Sequence, residues 1–154
     1  MRKFRGKKRY FRNLWENVNT IDLNLGKESW FDFWHTHLDF LGVAEKSLKI
    51  RREHIKAHIA LYNRLLKQLE EFEESYQAWF CVHDRQTYFD AVYVHSPNPN
   101  DDSFPHKIQE LEWNCKLPDS FKDLIDIQKF NVACYKFDGE VVYYIQSKEQ
   151  GIKL

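Results

Sequence analysis

The hydrophobic pattern of this chain alternates at a period of two near its start, shifts to 3.6 in the middle, and returns to two. From about Glu45 to Glu74 there is neither Pro nor Gly, and most residues are good helix formers. At 100° per residue Leu48, Ile55, Ile59, Tyr62, Leu65, Leu66, Leu69 and Phe72 fall in one broad arc. The spacing predicts one long helix, about 45 Å at 1.5 Å per residue, enough to cross a small domain. Tyr76–His83 and Tyr88–His95 are rich in β-branched and aromatic residues, and polar Asp84–Thr87 lies between them, as in a hairpin. Phe130–Phe137 and Glu140–Ser147 flank Asp138-Gly139, the pair that favours a type I′ hairpin turn.

Weaker patterns fill the rest. After the turn signal Gly26–Ser29, Trp30–Phe40 reads as a strand closed by Gly42. Asn13–Asn24 fits a short helix followed by an extended piece. Glu110–Lys116 is a candidate short strand carrying Trp113, and Ser96–Pro105 an irregular loop. Pro118–Ile127 has Pro near a first turn and acids near an N-terminus, as in a short helix. The expected architecture is therefore α+β, an antiparallel sheet built from hairpins and packed on one long helix.

Composition narrows the class. A chain of 154 residues fits one domain, and 16% aromatic residues supply core area without needing disulfides or a structural metal. No apolar run approaches the roughly 20 residues that span a bilayer, so no membrane association is expected. Cys81, Cys115 and Cys134 are odd in number, widely spaced and without a C-x-x-C pair, which suggests reduced thiols in a cytoplasmic protein. No Gly-rich phosphate loop, dinucleotide fingerprint or nucleophile elbow is present, which removes the nucleotide-driven and serine-hydrolase classes.

The net charge of zero hides an asymmetry. Residues 1–12 hold seven of the 23 basic residues and no acidic one, leaving 16 basic against 23 acidic residues, net −7, on residues 13–154. The expected organisation is a basic N-terminal arm, 1–12, on a single α+β domain, 13–154. Such an arm is a candidate for nucleic-acid phosphates.

The sharpest chemistry lies in the aromatic run. On an extended strand His35, His37 and Asp39 share one face. His54 and His58, spaced i, i+4, share a face of the long helix and fall within or at the edge of its apolar arc. If helix and strand pack together, the five side chains form a candidate site for zinc or another divalent metal, because imidazole nitrogen and carboxylate oxygen suit zinc. Water activated there would make a metal-dependent hydrolase. The competing reading gives these histidines packing roles, each satisfied by a carboxylate or a backbone carbonyl. A binding surface is the third use, with Trp34 on the strand and Asn98, Asn100, Asp101 and Asp102 in the Ser96–Pro105 loop facing a partner.

Two passages, Asp32-Phe-Trp-His-Thr-His-Leu-Asp39 and Asp90-Ala-Val-Tyr-Val-His-Ser-Pro-Asn-Pro-Asn100, resemble small bacterial proteins of the accessory or immunity type in toxin systems. Together they cover 19 residues. The segment Leu117-Pro-Asp-Ser-Phe-Lys-Asp-Leu-Ile125 resembles a helix of the SMI1/KNR4-like superfamily. The chain departs from that superfamily in lacking the Asn-Gly that usually follows, and in placing a long helix and hairpin upstream. The resemblance implies a soluble binding protein that neutralises a bacterial toxin, without catalysis and without a cofactor. The alternative is the metal-dependent hydrolase or metal-binding protein.

Overall fold

The computed structural model describes residues 6–23, 33–36, 48–71, 76–83, 91–95, 111–113, 115–118, 121, 123–137 and 139–150. Helix α1 (Lys7–Thr20) begins after Gly6, whose φ of +95° is a left-handed conformation that glycine adopts at little cost. Its inward stripe is Phe11, Leu14, Trp15 and Val18, spaced three and four apart, with Leu14 and Val18 buried. The expected boundary between residues 12 and 13 falls inside this helix, so Lys7–Arg12 are the first turns of a packed element. Among the described residues the expectation of one long helix is thereby corrected to two.

Arg64 explains where α1 ends. Its guanidinium, reaching from the second helix, donates to the carbonyls of Val18 and Ile21, the latter at 2.7 Å. These are the acceptors a helix C-terminus leaves unpaired, and a cation there also complements the helix dipole. Arg64→Met, which keeps the apolar stem, is expected to cost about 1.5–3 kcal/mol in urea denaturation, the usual range for hydrogen bonds to a charged group. A loss below about 0.5 kcal/mol would show that water replaces the guanidinium.

Helix α2 (Leu48–Leu69) is the central rod, about 33 Å long at 1.5 Å per residue. It buries Ile55, Ala57, Leu61, Tyr62, Leu65 and Leu69 together with His54 and His58. Contacts between the helices advance in step, since Tyr10 meets His54 while Val18 and Ile21 meet Arg64. The two helices therefore run in the same general direction.

The strands β1 (Phe33–Thr36), β2 (Gln77–His83), β3 (Ala91–His95), β4 (Glu112–Trp113), β5 (Phe130–Phe137) and β6 (Glu140–Ser147) form one antiparallel sheet, ordered β1-β3-β2-β6-β5-β4. The two expected hairpins are present, and β2 paired with β6 joins them, with Phe80 opposite Ile145. Phe137 pairs with Glu140 around Gly139, whose φ of +78° is the backbone state expected of Asp-Gly.

Alternation sorts the sheet's side chains. Ala78, Phe80, Val82, Val92, Val94, Val132, Tyr143 and Ile145 meet the helices. On the opposite face Trp79, Cys81, Leu111, Ala133, Val142 and Tyr144 form a second buried cluster, with Trp113 and Tyr135 against it. The central strands are buried on both faces, which is why Gln77–Val82 and Val142–Gln146 are buried without a break.

Two further expectations change. Where a short helix was expected after Pro118, the described residues show i→i+3 bonds of the 3₁₀ kind, Phe121 N–H to Pro118 O at 2.9 Å and Leu124 N–H to Phe121 O at 3.0 Å. A 3₁₀ turn at Ile127–Lys129 leads into β5. A segment this short gains little from helix propagation. Burial of Leu117, Phe121 and Ile125, with Phe121 against Tyr143 at 6.1 Å, decides its path. In addition, Cys115 and Cys134 are joined as a disulfide rather than held as thiols. The Cys115 N–H bonds Val132 O at 3.0 Å, extending the β4–β5 pairing and bringing the two Cα atoms to 6.0 Å. Cys81 lies outside the disulfide, buried on the other face. The cytoplasmic expectation thus loses the premise of three thiols on which it rested.

Candidate functional site

The histidines of α2 sit in the joint with α1. His54 is 2% exposed and His58 1%, as their place in the apolar arc implies. The Tyr10 hydroxyl hydrogen-bonds His54 Nε2, and the two rings lie nearly parallel, 11° apart, with centroids at 5.9 Å. Burial raises the Tyr10 pKa, so the phenol stays neutral and can donate to the imidazole. One turn on, His58 Nδ1 lies 2.8 Å from the backbone carbonyl of His54. A carbonyl only accepts, so Nδ1 carries the proton. The two imidazole centroids are 6.3 Å apart.

Glu53 borders this joint from the half-exposed side. It accepts from the Trp15 indole N–H at 3.3 Å and lies 3.6 Å from Lys56 Nζ. Tyr10, Trp15 and Glu53 were missed in the sequence because Tyr10 lies among cations. The signal available was the i, i+4 relation of Tyr10 and Phe11 to Leu14 and Trp15.

A second polar knot closes the far end of α2. The Tyr62 hydroxyl accepts the Ser147 backbone N–H at 2.9 Å and directs its proton toward Ala78 O at 3.1 Å and Gln150 Oε1 at 3.2 Å. Gln150 Oε1 also accepts the Ala78 N–H at 3.3 Å. Across the sheet's other face Gln146 donates to Gln77 at 3.4 Å. The Tyr62 contacts fix strand ends to the helix, and the glutamine pair joins β2 to β6.

The remaining expected site residues are placed as follows. Residue 35 pairs in register with residue 93, and residue 93 with Trp79, whose side chain belongs to the outer cluster. Position 35 therefore lies in a row other than those α2 covers, which contain Phe80 and Val94. Residue 34 is registered opposite Val94. His37, Asp39, Asn98, Asn100, Asp101 and Asp102 lie outside the described residues. Among the described residues His54 and His58 are brought together, and no group of three His, Cys, Asp or Glu is close enough to hold a metal ion. Among those residues, too, no helix is long and apolar enough to cross a membrane. Comparison with protein-family models, with curated proteins and with solved structures gave no match.

Proposed function

We propose that the chain is a soluble binding protein that acts by docking on a protein partner, as an immunity protein does when it neutralises a toxin. The observation that carries this reading is the use made of His54, His58 and Tyr10. His54 Nε2 is held by a phenol of α1 and His58 Nδ1 by a carbonyl of its own helix, so His54 serves the joint between α1 and α2 and His58 packs beside it. Metal ligation through His54 Nε2 or His58 Nδ1 would first have to break a buried hydrogen bond, at about 1–3 kcal/mol each. Ligation through the opposite ring nitrogens would not. The acidic excess of residues 13–154 supports the same reading, since complementary charge speeds docking on a basic partner. Asn98, Asn100, Asp101 and Asp102 remain the residues proposed to face that partner, whereas position 34 shares the row of Val94 on the face the helices cover.

The test is co-expression with the product of the neighbouring gene. Growth rescue and a 1:1 complex in gel filtration are expected, with an association rate that falls as salt rises. Absence of both rescue and complex would overturn the proposal. So would metal-dependent hydrolysis by the purified chain. Untagged protein reconstituted with zinc and dialysed is expected to keep less than about a tenth of an equivalent, whereas one firmly held equivalent would move the assignment to the metal reading.

A further inference from the structure

We infer that the outward face of α1 is a docking surface for the phosphate backbone of duplex nucleic acid. Lys8, Arg9 and Arg12 are exposed and occupy one arc of about 100°, opposite the arc that buries Leu14 and Val18. They span four residues, about 6 Å along the helix axis. None of the three forms an ion pair, among the described residues, with any acidic side chain. The first acidic residue in the chain is Glu16, four residues beyond Arg12 in the same arc, so it meets the cations only at the C-terminal edge of the patch. Arg2, Lys3 and Arg5 add three more cations immediately upstream in the sequence. Lys7 does not belong to this face, because its ammonium lies 5.8 Å over the Phe11 ring, toward the core.

The arrangement runs against the interests of the isolated fold. Like charges at i, i+3 (Arg9 and Arg12) and i, i+4 (Lys8 and Arg12) repel, and cations in a first turn oppose the helix dipole. No acidic residue stands in the first turn of α1 and no side chain caps it. A polyanion removes both penalties at once.

The choice among polyanions follows from what the face lacks. An anionic membrane would be held by an amphipathic helix with its apolar stripe free. Here that stripe of Phe11, Leu14, Trp15 and Val18 is packed into the core. Single strands are held by aromatic platforms, yet Tyr10, Phe11 and Trp15 are turned inward and half-buried. What remains is a purely electrostatic surface, suited to regularly spaced phosphates.

Fluorescence anisotropy of the full chain with a labelled duplex DNA of about two helical turns tests this. Three phosphate contacts give a log–log salt slope of about −2.7, or roughly a 40-fold affinity loss from about 50 to 200 mM salt. The triple variant Lys8→Gln, Arg9→Gln, Arg12→Gln is expected to lose at least about tenfold in affinity at low salt and most of that slope, with an unchanged or higher melting temperature. Lys148→Gln, at an exposed lysine distant from α1 in sequence, should bind like the parent. Lack of duplex binding at low salt, a triple variant or a Lys148→Gln control that behaves otherwise, or tighter binding to the single strand would overturn the inference. Binding to phosphatidylserine vesicles without binding to the duplex would overturn it in favour of a membrane surface.

Discussion

Tyr62→Ala is expected to lower the stability of the fold by about 3–5 kcal/mol, the range for deleting a fully buried large aromatic side chain. Tyr62 is 0% exposed and packs on Phe80 with centroids 5.3 Å apart. Tyr62→Phe keeps that packing and removes only the hydroxyl. It leaves the Ser147 N–H and the Ala78 carbonyl without the partner they have at 2.9 and 3.1 Å, and is expected to cost about 1–3 kcal/mol. Urea denaturation of both variants separates the two contributions. A Phe variant as stable as the parent would show that the knot adds nothing to the packing.

The same hydroxyl gives an alkaline signature. Burial raises the Tyr62 pKa, and the Ser147 N–H offsets part of that rise. The folded state then keeps a proton that the unfolded chain releases. The stabilisation is complete below the ordinary phenol value near 10 and is lost as the pH climbs above it, by up to about 1.4 kcal/mol per pH unit from this group. Tyr62→Phe should flatten that limb of the stability–pH curve.

Reduction is expected to have an effect of similar size. The disulfide joins residues 19 apart in sequence, and closing a loop of that length in the unfolded chain corresponds to about 3 kcal/mol. Cys134→Ser should lower stability by about that amount in oxidising buffer and change little in dithiothreitol. Under denaturing conditions the parent should titrate one free thiol, from Cys81, before reduction and three afterwards. Three thiols in carefully oxidised protein would return the cysteines to the state their spacing suggested. Stability would otherwise depend on compartment, because the bond persists only where thiols are oxidised.

Much of the architecture was legible because it is written in short spacings. The arc of apolar positions from Leu48 to Leu69 located α2, and it also placed His54 and His58 on the buried side. Asp138-Gly139 located the β5–β6 hairpin through the one residue type that tolerates φ near +78°. Alternation located β2, β3 and the extended centre of the aromatic run. The first helix was legible only in its second half, where a short helix was expected from Asn13, and its start at Lys7 was not. Its stripe of Phe11, Leu14, Trp15 and Val18 is short, and the cations before it suggest a solvated tail until α2 and Arg64 supply the packing and the cap.

The periods and the tight turn follow from residues within about four positions of one another, and the uneven charge from a simple count along the chain. Only the tertiary structure decided which distant groups meet. It paired Cys115 with Cys134, gave His54 a phenol from α1, and registered position 35 with the outer row of the sheet. The reason is that strand order and helix docking are set by burying two apolar faces together, a balance summed over the whole core, whereas periodicity is read one element at a time.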